Sequence, residues 1–254
     1  MIFYFSATGN SKYVAQKIAL ATGEITVSIA DCVKTGCYHF SLEQKEMLGF
    51  VTPVYLMSLP AVVVDFVRKL ELEAAGDHYV WHTVTYGRMP GPVSSQLAEL
   101  LAEKKIILQA AFRVQILSSF TPIFSVCDKK KVAKKIAASE PEINKVIDQI
   151  GKKTLDEKAS VISSKTEKRI QRFQSYYDKI RKTGPFHVKD NCIGCGKCAE
   201  LCPVNAIELE ESKPVWTKDK CVLCLGCLHN CPQFAIQYGN RTEKHGQYLH
   251  PSIG

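Results

Sequence analysis

Eight of the eleven cysteines lie between residues 192 and 231, in the runs CIGCGKCAELC before Pro203 and CVLCLGCLHNC before Pro232. Both runs fit CxxCxxCxxxCP and stand 29 residues apart at every cysteine. Three thiolates at intervals of three can wrap one corner of a [4Fe–4S] cubane, and Gly194, Gly196 and Gly226 let the backbone approach the sulfides. The fourth cysteine, set before a proline that turns the chain, ligates the other cluster in two-cluster proteins of this spacing. The expected sets are therefore Cys192, Cys195, Cys198 and Cys231 for one cluster, and Cys221, Cys224, Cys227 and Cys202 for the other. Ile207 and Ile236 follow the two runs at equivalent positions and are expected to pack against the clusters and keep water off them. Paired CxxC units also hold zinc. A zinc ribbon, however, needs four cysteines per site and rarely adds a third CxxC step and a CP end, twice.

A second candidate site is the run Ser6-Ala7-Thr8-Gly9-Asn10-Ser11. It follows the apolar IFYF and precedes KYVAQKIALA, which has helical spacing. Hydroxyls, an amide and successive backbone N–H groups at a helix start can surround a phosphate, and the helix dipole favours the anion. Ser and Thr before a helix are also ordinary N-caps, so these residues alone leave both readings open. The run is neither GxxxxGK[ST] nor GxGxxG.

Other reactive side chains form no such pattern. Cys32 and Cys37 lack CxxC spacing and are expected to be structural, and Cys127 a small apolar filler. His78 and His82 share a face of a strand without a carboxylate beside them and are expected at the surface. Lys197 and His229, inside the cysteine runs, are expected to be solvated. Tyr248 and His250 in the tail could dock against a neighbouring element, with no partner that the sequence reveals.

The elements that position these residues can be read from periodicity. Strands are expected at 2–5, 24–29, 48–55, 78–87 and 106–117, with helices after SATGNS, at about 60–70 and in SSQLAELLAEKK. Alternation of this kind means βαβ units, hence a parallel sheet with helices on both faces. From 128 to about 182 the pattern is helical, Lys-rich and poor in large apolar residues, and reads as a charged pair of helices bridging two domains or as a docking face for an acidic partner. Nucleic acid is disfavoured, because Phe173, Tyr176 and Tyr177 sit at helical spacing that suits packing better than base stacking.

Composition sets the outer limits. Over 254 residues, apolar content is 46% and charged content 23%, as in ordinary globular proteins, and the length suits more than a bare cluster module. Residues 1–127 hold 10 Lys+Arg against 10 Asp+Glu and residues 186–254 hold 7 against 7, whereas 128–185 hold 16 against 8. The middle stretch thus carries the whole formal charge of +8, and two oxidised clusters would contribute about −2 apiece against it. The start MIFYFS lacks signal-peptide features, and no apolar run is long enough for a membrane span. A cytoplasmic location is expected, with metal binding rather than disulfides as the use of so many cysteines.

The SATGNS loop resembles the phosphate loop of flavodoxins. With TPVYLMSLP, TYGRMPGP, the cysteine repeat and the ending NRTEKHGQYLHP, essentially the whole chain resembles the fused flavodoxin-like/ferredoxin proteins of anaerobic bacteria and archaea. The resemblance implies an α/β flavodoxin-like doubly wound sheet in the order 2-1-3-4-5, a helical connector and a small α+β two-cluster bacterial ferredoxin domain. The divisions implied are 1–127, 128–185 and 186–254. It also implies FMN, with Ser6, Ala7, Thr8, Gly9, Asn10 and Ser11 around its phosphate, Pro53, Val54, Tyr55, Leu56 and Met57 beside the isoalloxazine, and Tyr86, Gly87 and Arg88 beginning the facing loop. The expected role is electron transfer with low-potential redox proteins, with no catalytic residue and an open oligomeric state, dimers included. Two alternatives are a flavin-dependent reductase fed by its own clusters and a cluster-bearing binding protein that grips an acidic partner or nucleic acid through the connector.

Overall fold

A computed structural model describes residues 1–74, 77–156, 159–160 and 163–252. The first half alternates strand and helix: β1 (Ile2–Tyr4), α1 (Asn10–Thr22), β2 (Thr26–Ser28), α2 (Ile29–Thr35), β3 (His39–Leu42), β4 (Leu48–Pro53), α3 (Ala61–Lys69), β5 (Glu71–Ala74), β6 (Val80–Tyr86), α4 (Val93–Ala102) and β7 (Ala110–Gln115). Five strands form one parallel sheet, β2-β1-β4-β6-β7. Numbered within that sheet alone, the order is the doubly wound 2-1-3-4-5. Strands β3 and β5 pair separately as a parallel ribbon, which the sequence reading did not anticipate.

The pleat sends alternate residues to opposite layers. Phe3, Phe50, Val80 and Val84 face one core with Phe66, Leu97 and Leu101 of α3 and α4. Ile2, Val51, Trp81 and Val114 face the other, with Val14 and Ile18 of α1. Strands buried on both faces read as the continuous apolar runs that parallel sheets require. His82 belongs to this interior and not to the surface: it is fully buried between Thr52 Oγ1 (2.9 Å) and Ser94 Oγ (3.1 Å). Burial pushes its pKa down to about 3, and the two hydroxyls, each able to donate or accept, suit a neutral ring.

The Lys-rich stretch folds as α5 (Lys129–Gly151) and α6 (Ser164–Ile180). Helix α5 is not a free-standing bridge. Ile143, Val146 and Ile150 pack with α1 and the sheet, while Lys130, Lys131, Lys134 and Lys135 stay exposed. Helix α6 buries only Ile170 and Tyr177. No helix among the described residues is long and apolar enough to cross a membrane.

The last part comprises β8 (Phe186–Val188), α7 (Lys197–Glu200), β9 (Ile207–Glu210), β10 (Lys213–Trp216), α8 (Gly226–His229), β11 (Ile236–Tyr238) and α9 (Thr242–His245). Strands β9–β10 and β8–β11 form two antiparallel pairs. The sequence repeat is a structural repeat: α7 and α8, and the starts of β9 and β11, are each 29 residues apart.

Candidate functional site

The carboxyl ends of β1, β4, β6 and β7 open on one cavity of about 410 Å³, the usual place for a ligand in a doubly wound sheet. Ser6, Ala7, Thr8, Asn10 and Ser11 line it, with Pro53, Val54, Tyr55, Leu56 and Met57, and with Tyr86, Gly87 and Arg88. Gly9 does not. It caps α1 with φ 95° and faces a second cavity on the far side of the loop.

All four polar side chains expected around the phosphate have protein partners. Asn10 Nδ2 donates to the Leu117 carbonyl (3.0 Å), and Ser11 Oγ pairs with Thr85 Oγ1 (2.7 Å). These side chains hold the loop in shape. For an anion there remain the Ser6 O–H, whose oxygen accepts from Gly9 N–H (3.1 Å), the Thr8 hydroxyl shared with Ser119 Oγ (3.1 Å), and the first-turn N–H groups of α1. Helix geometry leaves those N–H groups without an internal carbonyl one turn back. Tyr55, Leu56, Met57, Tyr86, Phe120 and Phe124 supply apolar cover, so the residues present fit a flat aromatic ligand bearing a phosphate.

Sequence reading missed a fourth wall, the loop 116–124 after β7, which contributes Leu117 to Phe120, Ile123 and Phe124. Its signal was positional: it follows the fifth strand of the sheet as the other loops follow theirs. Gly87 lies against it, and a Cβ there would sit 2.4 Å from Ser118 Cβ, so a side chain would force the two loops apart.

The tail, also missed, ties the site together. Tyr248 OH donates to Asn10 Oδ1 (2.6 Å), and His250 N–H to the Thr8 carbonyl (2.8 Å). Tyr248 N–H donates to His229 Nδ1 (3.2 Å), and His229 Nε2 lies 2.8 Å from the Ser119 carbonyl. An accepting Nδ1 and a donating Nε2 define the neutral tautomer, and burial lowers the His229 pKa to about 4. His229 is thus a buried strut between cluster domain, tail and cavity loop, and not the solvated residue expected. His250 stacks on Tyr13 at 4.2 Å.

The cysteines surround two small voids. Cys192, Cys195, Cys198 and Cys231 line the first, with Ile236. Cys202, Cys221, Cys224 and Cys227 line the second, with Ile207. Each void takes three cysteines from one run and the fourth from the other. Among the described residues no three His, Cys, Asp or Glu side chains converge on a single-ion position; the thiols stand around the voids instead. Amide groups point at the sulfurs: Ala206 N–H to Cys202 Sγ (3.2 Å), Leu223 N–H to Cys221 Sγ (3.2 Å) and Ala235 N–H to Cys231 Sγ (3.3 Å). In the second set, burial first and neighbouring thiolates after it raise Cys221 to about 11, Cys224 to about 12 and Cys227 well above the ordinary range. Bare thiolates are costly there, and bound iron would offset that cost with its positive charge.

The repeat extends to backbone angles. Gly194 (φ 64°) corresponds to Leu223 (53°), Gly196 (74°) to Leu225 (58°), and Asn205 (46°) to Phe234 (48°). Two glycines of the outer run are therefore leucines in the inner run, held in the left-handed region that disfavours a Cβ. Both leucines are buried and line the large cavity. Between them stands Cys224, which lines that cavity and the inner void alike. Tyr177 of α6 closes the junction: its hydroxyl donates to the Val222 carbonyl (2.5 Å), and its ring lies 6.5 Å from Tyr55. Burial raises the phenol pKa of both tyrosines, with Cys224 adding to the effect.

Comparison with known families identifies both halves. Residues 1–114 match the flavodoxin domain and residues 160–236 the 4Fe-4S dicluster domain. The chain is a flavodoxin domain fused to a 4Fe–4S dicluster ferredoxin domain, an electron-transfer iron–sulfur flavoprotein, and the zinc alternative falls with that match. No curated protein matches the chain. Among solved structures, an azoreductase from Bacillus anthracis str. Sterne is 10% identical, covering 58% of this chain and 98% of its own, with a TM-score of 0.37. The Trp repressor binding protein from Bacillus subtilis is 11% identical over 55% and 95% of the two chains, with a TM-score of 0.32. Rubredoxin oxygen:oxidoreductase from the anaerobe Desulfovibrio gigas is 13% identical over 60% and 36%, with a TM-score of 0.32. Such low scores carry nothing about what this chain binds or does.

Proposed function

We propose that this chain conducts single electrons between a protein partner at the outer cysteine set and the cavity at the end of its parallel sheet, within one polypeptide. The observation that carries this reading is Cys224, whose residue lines both the cavity and the inner void. When bound, two [4Fe–4S] clusters supply one-electron carriers and FMN a carrier of one or two electrons.

The protein's part is to place, insulate and expose. Ser6, Thr8 and the start of α1 hold the FMN phosphate, while residues 53–57 and 86–88 flank the ring. Leu223, Leu225 and Tyr177 keep water out of the junction. The outer set is presented to solvent, with Cys195 exposed and Ile193 and Leu209 beside it 62% and 42% exposed. That apolar rim suits a low-potential redox protein of an anaerobic cytoplasm. Nothing in the route calls for a general acid or base.

The test is anaerobic stepwise reduction of the loaded protein, with iron, sulfide and flavin assayed on the same sample. About eight iron per chain and bound FMN are expected. A protein one-electron donor should reduce the flavin in the wild type and fail to do so in Cys202→Ala, while a small-molecule reductant still succeeds. Equal flavin reduction by the protein donor in both would sink the proposed route.

A further inference from the structure

Outside the relay, Cys32 and Cys37 lie at opposite ends of one hydrogen-bonded closure. Helix α2 ends at Gly36, whose φ of 72° reverses the chain. The N–H groups of Gly36 and Cys37 both donate to the Cys32 carbonyl, the latter at 3.0 Å. A six-to-one closure of this kind folds the residue after the glycine back toward the residue a turn before it, and a side-chain contact between the two frequently accompanies it. A disulfide asks for Cα atoms about 4.4–6.8 Å apart, which a closure this tight can meet. Both cysteines are free thiols, Cys32 buried in the sheet core and Cys37 exposed. Their proximity shows in the titration of Cys32, which burial raises first and the charge of Cys37 next.

We infer that Cys32 and Cys37 form a reversible dithiol–disulfide pair that takes up hydrogen peroxide. The exposed Cys37 thiolate attacks one peroxide oxygen, the O–O bond breaks, and hydroxide leaves a sulfenic acid on Cys37. The Cys32 sulfur then attacks the Cys37 sulfur. The S–O bond breaks, the Cys32 proton departs with the hydroxyl as water, and a disulfide remains. In sum two thiols and one peroxide give one disulfide and two waters, with the sulfurs oxidised and the peroxide reduced. The geometry divides the roles: the solvent-facing thiol meets the oxidant, and the buried thiol resolves the product. The pair also adjoins the cluster domain, because Lys34, between the two cysteines, donates to the Glu200 carbonyl of α7.

The experiment uses the loaded full chain, purified anaerobically and given hydrogen peroxide at a level that leaves cluster absorbance unchanged. It is then alkylated under denaturing conditions and digested with trypsin. Cleavage after Lys34 separates the two cysteines, so a disulfide joins the peptides 18–34 and 35–45. The joined species is expected in most chains and should be lost on treatment with dithiothreitol. In Cys32→Ser, dimedone should label Cys37; in Cys37→Ser, Cys32 should remain an alkylatable thiol. Separate alkylation of both wild-type peptides, or joined peptides only after the clusters bleach, overturns the inference. So does a Cys32→Ser chain that takes no dimedone at Cys37.

Discussion

Leu225 offers the sharpest test of how the inner cysteine run is built. It holds φ 58° where the outer run has Gly196 at 74°, and its side chain is 2% exposed between the large cavity and the inner void. Truncating a buried leucine to alanine costs about 2–5 kcal/mol, and alanine would keep the unfavourable backbone. Glycine loses the same packing but relieves a left-handed cost of about 1–2 kcal/mol. Set against the greater freedom of glycine in the unfolded chain, about 0.5–1 kcal/mol, the balance favours Leu225→Gly over Leu225→Ala by up to about 1.5 kcal/mol. For a chain of this size each kcal/mol amounts to about 2–4 °C in the unfolding midpoint. At an ordinary buried position the order is the reverse. Anaerobic calorimetry of the three loaded proteins at one scan rate gives the comparison, because cluster loss makes the transition scan-rate dependent. The expected order is wild type, then glycine, then alanine. An alanine variant as stable as the glycine variant, or more so, would refute the strained-wall reasoning.

Cross-pairing of the two runs predicts that Cys202→Ala removes about four iron and leaves the site around Cys192, whereas Cys231→Ala does the converse; iron analysis and EPR of each variant check this. Tyr248→Phe leaves Asn10 Oδ1 without its phenol donor in a buried position, which costs about 1–3 kcal/mol. Both a lower unfolding midpoint and a weaker FMN titration of the flavin-stripped protein are expected, and unchanged values would remove the tail from the site. His82, held neutral to about pH 3, binds a proton in the unfolded state from about pH 6.5 downward. Its contribution to stability is therefore complete above pH 6.5 and falls between pH 6.5 and 3, by at most about 1.4 kcal/mol per pH unit. Against pH, the unfolding midpoint of His82→Gln should have a shallower acid slope than that of the wild type, and parallel slopes would contradict the assignment.

What the sequence determined by itself was what lies close along the chain. Three cysteines at intervals of three and a proline after the fourth act over a few residues, so spacing alone conveys their chemistry, whereas the run SATGNS leaves phosphate binding and an ordinary N-cap both open without the family resemblance. The order 2-1-3-4-5 was accessible through resemblance, and the continuous apolar strands agree with a sheet buried on both faces. Only tertiary structure decided the relations between distant segments. The loop 116–124 carries no motif and becomes a cavity wall because β7 ends beside β6. Helix α5 looked solvated because its many lysines outweigh Ile143, Val146 and Ile150 in any local average, yet those three define one face that the sheet covers. His229 and His82 were expected in water, because burying an imidazole depends on hydroxyl or carbonyl partners that no local pattern supplies. Tyr248 reaches Asn10 across 238 positions, and Cys224 meets the cavity at the sheet's carboxyl edge only because the ferredoxin domain docks there. Such contacts exist once the chain has closed its long loops, and the entropy of that closure is offset by burial in the whole fold rather than by any local signal.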